Sequence, residues 1–344
     1  MRLLIVFMML FMLGCGGCDE KPLQKVELKE ETKALDIKSM RFDEDLFNVD
    51  FSKPDSASRQ LHHKYGNFFC RFVENDLLLA QCQSDSIGKL LQPFVTNRDI
   101  IETHEAIHQA FPPEKIDEIN GELTDAFRRW NHFFPDSIVP AVIYYQSAWN
   151  SNISPSDSTV GISLDCYLGS DHKITRQLSP EAFPTYKKEN MDEKFLVADA
   201  VKGWVAYKSR HFYKQKDLLS ELIFYGKLMY ISEALVPEIP DSTMLDWSAE
   251  ELAWAKKHQW NTWKAIANEK IMFQTRSFEI NKWFADGPFT GATDIPQDSP
   301  PQLGVWLGWN IVRQYMEANP KLAPQDLLLD YDNQKILSAF NPKR

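Results

Sequence analysis

The chain spells no glycine-rich phosphate loop and no dinucleotide fingerprint, although its 344 residues include 14 glycines. Without such a loop there is no obvious cradle of backbone N–H groups for a phosphate, and nucleotide binding by those routes is disfavoured. No GxSxG elbow is present, which removes a familiar serine-hydrolase signal. Cations are scarce: 38 Lys and Arg face 48 Asp and Glu, a formal charge of −10. A nucleic-acid binder needs a basic surface to displace phosphate counterions, so no nucleic-acid partner is expected. The same balance disfavours docking on anionic lipid through net charge alone. Cysteines number five, and no CxxC occurs beyond Cys15-Gly-Gly-Cys18. Internal repeats are absent. So are long apolar runs: the best, Leu3 to Leu13, is too short to span a bilayer as a mature helix.

What that short run does fit is an export signal, with Arg2 before it and small Gly14 after it. Leu13-Gly14-Cys15 resembles the lipobox of bacterial lipoproteins, although Met12 stands where leucine is commoner. The resemblance implies cleavage before Cys15 and lipid on its thiol and new amino terminus, with Cys18 as an alternative. A soluble secreted protein and an uncleaved anchor are the other readings. Residues 16–38 are charged and poor in large apolar groups, so they read as a tether. The chain thus divides into a signal peptide (1–14), a lipidated tether (15–38) and one globular domain (39–344). Export permits disulfides, and Cys70 and Cys82 are the nearest pair among Cys70, Cys82 and Cys166. Spacing does not choose between that bond and three thiols.

Within the domain, Ser56 to Phe111 carries helical periodicity with breaks at Pro93 and Pro112-Pro113. A further helix is predicted to about Phe134. The runs 139–149 and 158–169 are rich in β-formers and read as two strands, in a small sheet or a hairpin across NSNISPSD. Helices resume with EKFLVADAVKGWVAYK. Next comes 217–237, whose polar residues Asp217, Ser220, Glu221, Lys227 and Ser232 share one arc. So narrow a strip predicts a helix deep in the domain, stopped by Pro237 and Pro240. Ser248 and Glu251 spell a capping box. In the last long helix Gly304 and Gly308 lie four apart, so another backbone can come close. The expected class is α+β, predominantly helical.

Four of these stretches carry a family resemblance. The lipobox, SLDCYLGSDH (163–172), SELIFYGKLMYISEALVP (220–237) and PPQLGVWLGWNIVRQYM (300–316) resemble the gliding motility lipoprotein GldB family in content and order. That implies a lipoprotein of gram-negative bacteria, in the cell envelope outside the cytoplasm, working with gliding or secretion proteins. The C-terminal half is also similar, more distantly, to zinc peptidases of zincin type. In them an HExxH helix follows a β-hairpin, and a later helix carries a Glu before an aromatic-Gly pair. Glu221 and Tyr225-Gly226 match the later helix, while Asp199-Ala200-Val201-Lys202-Gly203 stands where the zinc motif should be. Asp, Ala and Gly supply neither imidazoles nor a base. The resemblance therefore implies a zincin-like helical domain whose metal site is lost, with Asp199, Glu221 and Tyr225 as a degenerate cleft.

An intact HExxH occurs elsewhere, at His104-Glu105-Ala106-Ile107-His108. Two histidines four apart on a helix can share a zinc, and the intervening Glu can polarise its water. Against this, the segment precedes the strands, and Phe111 and Glu114 replace the metzincin Gly and His. A third ligand would have to be Glu122, His132 or Glu221. The alternative places His104, Glu105 and His108 on a solvated face while Ile101 and Ile107 turn inward. Glu221, on the polar arc, reads as a water-facing or ion-paired carboxylate. Asp171-His172 reads as a turn, and His62-His63, without a partner at metal spacing, as surface. Trp247, Trp254, Trp260 and Trp263 read as packing, and the loop 287–301 as a connector or a gate to the cleft. The preferred reading is a membrane-anchored lipoprotein acting through protein contacts, with no cofactor. A zinc hydrolase using His104, Glu105 and His108, or a peptide-binding degenerate cleft, is the alternative.

Overall fold

The computed structural model describes residue 32 and residues 34–343, apart from 215 and 268. The expected leader, Cys15, Cys18 and the first part of the tether lie outside the described residues. Leu35 and Asp36 are held against a long helix, where Arg128 donates to the Leu35 carbonyl at 2.7 Å and Thr124 to Asp36 at 3.2 Å.

Branched and aromatic residues suit the pleated, packed surface of a sheet, and the runs AVIYY and TVGIS form its centre. β1 (Ser39–Arg41) lies parallel to β2 (Ala141–Tyr145). β2 in turn lies parallel to β4 (Thr159–Ser163), with Val142 opposite Val160 and Tyr144 opposite Ile162. β3 (Ile153–Pro155) pairs antiparallel with the far side of β4, giving the order β1-β2-β4-β3. The two β-rich runs are therefore neighbours but not a hairpin. The hairpin is β3–β4, and the turn-forming cluster between the runs contains β3. Three residues are too few for alternation to announce a strand.

Side chains alternate across a strand, so this sheet divides the interior in two. Ile143 and Tyr145 face an aromatic core built from α1 (Phe42–Asn48), α2 (Pro54–Tyr65), α3 (Asn67–Arg71) and α4 (Ile87–Thr96). There the Phe42 ring meets Tyr65, Phe68 and Phe72 edge-on at 4.8, 5.3 and 4.9 Å, the arrangement that ring quadrupoles favour. A Cys70–Cys82 disulfide closes this side, and Cys166 is a buried thiol. Pro93 lies inside α4 and does not break it; the break comes at Asn97. The proline removes the one hydrogen bond its N–H would make, to Lys89, and the ladder closes around it. Asn97 caps α5 (Arg98–Ala110) by accepting from Asp99 N and Ile100 N.

Val142 and Tyr144 face the larger core, with α6 (Pro113–Phe133), α7 (Leu196–Ser209), α8 (Leu218–Leu235) and α9 (Leu303–Ala318). α8 is the buried helix that its narrow polar strip predicts, and it ends at Leu235 before the two prolines. Even its strip is enclosed. Lys227 is 4% exposed and donates to the Asp330 carbonyl, Ser232 turns back to Leu228 O, and Asp217 caps Ser220 N. α8 and α9 touch backbone to backbone. A Cβ on Gly308 would collide with the Leu222 carbonyl, and one on Gly226 with the Gly308 carbonyl. Where α8 ends, Arg313 of α9 reaches Glu233 at 2.8 Å and Asp241 at 2.6 Å, with its guanidinium over the Trp309 ring. The two carboxylates offset the cost of taking the guanidinium out of water.

Candidate functional site

α5 carries the HEAIH motif on the outside of the molecule. Ile100, Thr103, Ala106 and Ile107 are buried, whereas Ile101 is 38% exposed and does not turn inward as expected. Six residues at 100° each leave Ile101 and Ile107 on different faces. His104 is half-buried, its ring stacked on Phe47 at 4.0 Å. Its Nδ1 is enclosed without a partner, and burial pulls its pKa below the ordinary value. Glu105 is exposed, and His108 projects outward 4.0 Å from Glu44.

None of the proposed third ligands joins them. Burial and nearby Glu118 raise the pKa of Glu122 on α6, His132 lies against Phe133 at the end of that helix, and Glu221 belongs to α8. Among the described residues, the three-residue group within common ligating reach is instead His62, Cys70 and Cys82. His62 is thus not simply surface: Nε2 lies 3.5 Å from Cys70 Sγ and the ring stacks on Phe69. Both sulfurs are bonded to each other, so this cluster is a disulfide with a histidine beside it rather than a metal site. Its members come from two helices and a loop, a conjunction no local spacing encodes.

The helix where a zinc motif was sought, α7, is filled by an ion-pair network. Lys202 Nζ lies 2.9 Å from Asp199 and 2.8 Å from Asp246, while Tyr167 donates to Asp199 at 2.9 Å. Burial, then the Asp199 charge, push Asp246 up to about 7, and the two carboxylates hold Lys202 protonated despite its own burial. At Gly203 a Cβ would lie 2.7 Å from Ile153 Cγ2 of β3. A histidine does not fit there while α7 packs on β3 as it does.

Glu221 corrects another expectation. It is 4% exposed, neither water-facing nor ion-paired. The Tyr213 hydroxyl donates to its Oε1, Oε2 has no partner, and burial raises its pKa. Tyr225, one turn on, stacks on Phe284 at 4.9 Å. Asp199, bonded to Tyr167 and Lys202, shares no hydrogen bond or ion pair with either, so the three cleft residues occupy two neighbourhoods.

The loop 287–301 follows Phe284, the ring stacked on Tyr225. Its Asp294, Ile295 and Pro296 line a groove of about 400 Å³ with Trp254 and His258, and Asp298 accepts from Trp254 Nε1. Trp247 is buried packing, while Trp254, Trp260 and Trp263 are half-buried. His172 caps the short helix after it by accepting from Ile174 N, the turn role expected of Asp171-His172. No helix among the described residues is long and apolar enough to cross a membrane.

No curated protein and no solved structure matches the chain. A family model does, that of the gliding motility protein GldB, over residues 24–342. With nearly the whole folded part covered, the chain belongs to the GldB gliding motility family.

Proposed function

We propose that this protein is a lipid-anchored component of the bacterial cell envelope that serves gliding or related machinery by contacting other envelope proteins, not by catalysis. Cys15 carries the lipid, the chain from there to Leu35 forms the tether, and the presented domain starts where Leu35 and Asp36 are fixed to α6, a few residues before the expected bound at 39. The observation that carries the reading is the family match over 24–342. The dispersal of chemical groups supports it. His104 is pressed against Phe47, Glu105 is in solvent, and the α7 position is taken by an ion pair. A hydrolase needs its nucleophile-activating groups within hydrogen-bond reach of one reacting atom.

The test is a set of chromosomal substitutions scored by membrane fractionation and by gliding. Cys15→Ala should release the protein from the membrane fraction and abolish gliding. Glu105→Gln and His104→Ala should leave both intact. Loss of gliding in Glu105→Gln at normal protein abundance would overturn the reading. So would one zinc per purified chain that disappears in His104→Ala and His108→Ala, because bound metal needs its ligands.

A further inference from the structure

The acidic chain carries one basic, aromatic face. Residues 208–216 (KSRHFYKQK) and 270–282 (KIMFQTRSFEINK) together hold seven Lys and Arg against one carboxylate of their own, Glu279. Glu279 pairs with Lys282 and Asp157 pairs with Arg210, which leaves the face a cationic excess. The chain as a whole runs the other way, 38 against 48. Asp217, next in sequence, is turned inward to cap α8.

The two segments are neighbours in space. Leu218 N donates to Gln274 O at 3.0 Å, and a relay of rings runs across α8 between them. Tyr213 meets Phe224 at 4.9 Å, Phe224 meets Tyr225 at 6.3 Å, and Tyr225 stacks on Phe284. Lysines sit over the exposed rings: Lys214 is 3.9 Å from the Tyr331 centroid and Lys282 is 4.7 Å from that of Phe278.

Among the described residues, six of the ten large apolar side chains most open to solvent lie here: Tyr213, Tyr225, Phe273, Phe278, Leu329 and Tyr331. The other four, Leu78, Leu90, Ile101 and Ile138, belong to the first 138 residues. Phe278 is 73% exposed on the short helix Ser277–Asn281. A soluble monomer gains nothing from holding that ring in water, and a cluster of such rings marks a contact surface.

We propose that this face docks on the surface of an anionic phospholipid bilayer. Aromatic rings suit the headgroup layer, where an apolar body and a polar tip are both accommodated. The cations of the face outside those two pairs are drawn to an anionic surface. The charge complementarity is local, which is how a chain of net charge −10 can still bind such a membrane. The chain before the domain permits it: twenty residues from Cys15 to Leu35 reach at most about 70 Å, and Leu35 is fixed to α6. Anchor and face are then two separate membrane contacts, and the anchor holds the face at a high local concentration so that a weak contact suffices. The proposal rests on the anchored reading above.

The experiment uses the full lipid-anchored chain on two kinds of vesicle. One is phosphatidylcholine alone, and the other is phosphatidylcholine with phosphatidylglycerol. Hydrogen exchange is followed in peptides covering 208–216 and 270–282. Exchange there should slow several-fold on the anionic vesicles only. The protection should vanish in Lys214→Glu with Lys282→Glu, and weaken in Phe278→Ser, while thermal melting of these surface variants stays unchanged. Equal exchange on both vesicles, protection that survives the variants, or protection that appears only when an acidic protein is added would overturn the proposal. Failure of the chain to float with either vesicle would instead count against the anchor, so the two failures are distinguishable.

Discussion

α5 and α8 each carry a residue set that invites a chemical reading, and the fold treats them in opposite ways. α5 has the letters of a zinc motif but lies on the outside, with only Ile100, Thr103, Ala106 and Ile107 turned in. α8 has no motif, yet encloses a glutamate, a lysine and two serines among its 14 buried residues. A short motif constrains one helical face, and the chemistry it promises depends on what other elements bring to that face. For α5 they bring Phe47 and Glu44, neither one a third ligand with a place beside both histidines. For α8 they bring Tyr213, Asp330 and a second glycine helix, which turn polar groups into internal fastenings.

The largest expected effect lies at the α8–α9 crossing. Gly308→Leu should cost about 3 kcal/mol or more, because the new side chain meets the Leu222 backbone rather than a movable rotamer. A denaturant melt close to wild type would mean that the helices separate freely, and α8 would lose its distinction from α5. Next, Ile107→Ala, on the inward face of α5, should cost about 3 kcal/mol by leaving a cavity in the larger core. A much smaller loss would show α5 to be detachable.

The pH dependence of stability should carry opposite signs for the two helices. Burial raises the Glu221 pKa, so above its usual 4.5 the unfolded chain gives up the proton first and stability falls as pH rises through that window. Glu221→Gln should flatten this decline while keeping an acceptor for Tyr213. Burial lowers the His104 pKa, so below its usual 6.5 the unfolded chain takes up the proton first and stability falls as pH drops. His104→Phe should remove that acid-side loss. Melts across pH 4 to 8 check both, and slopes of equal sign would refute the contrast. The smallest effect belongs to Glu105→Gln and His108→Ala. Each should shift stability by no more than about 0.5 kcal/mol, as expected for exposed positions without partners that matter. A larger loss would reveal a partner for the motif.

Much of the fold could be read ahead of the structure, because burial leaves a local trace. The narrow polar strip marked α8 as central, the glycines four apart marked α9 as a close-contact helix, and Ser248-Glu251 closed the capping box they spell. The strands were visible as segments, but their partners were not. β1 and β3 are three residues each and borrow their pairing from β2 and β4, so no periodicity betrays them. The candidate site was least legible. Glu221 reads as a solvated carboxylate on a helical wheel, and only Tyr213, from the preceding loop, together with neighbouring helices makes it an enclosed one.

The amino-acid order alone determined the family, the predominance of helices and the burial of 218–235. These follow from composition, periodicity and long matching segments, which are properties of the chain itself. Tertiary structure decided that Cys70 bonds Cys82, that Lys202 joins Asp199 to Asp246, that Gly203 has no room for a side chain, and that two distant basic segments share a face. Each joins groups separated by loops or helices, and only packing sets such distances.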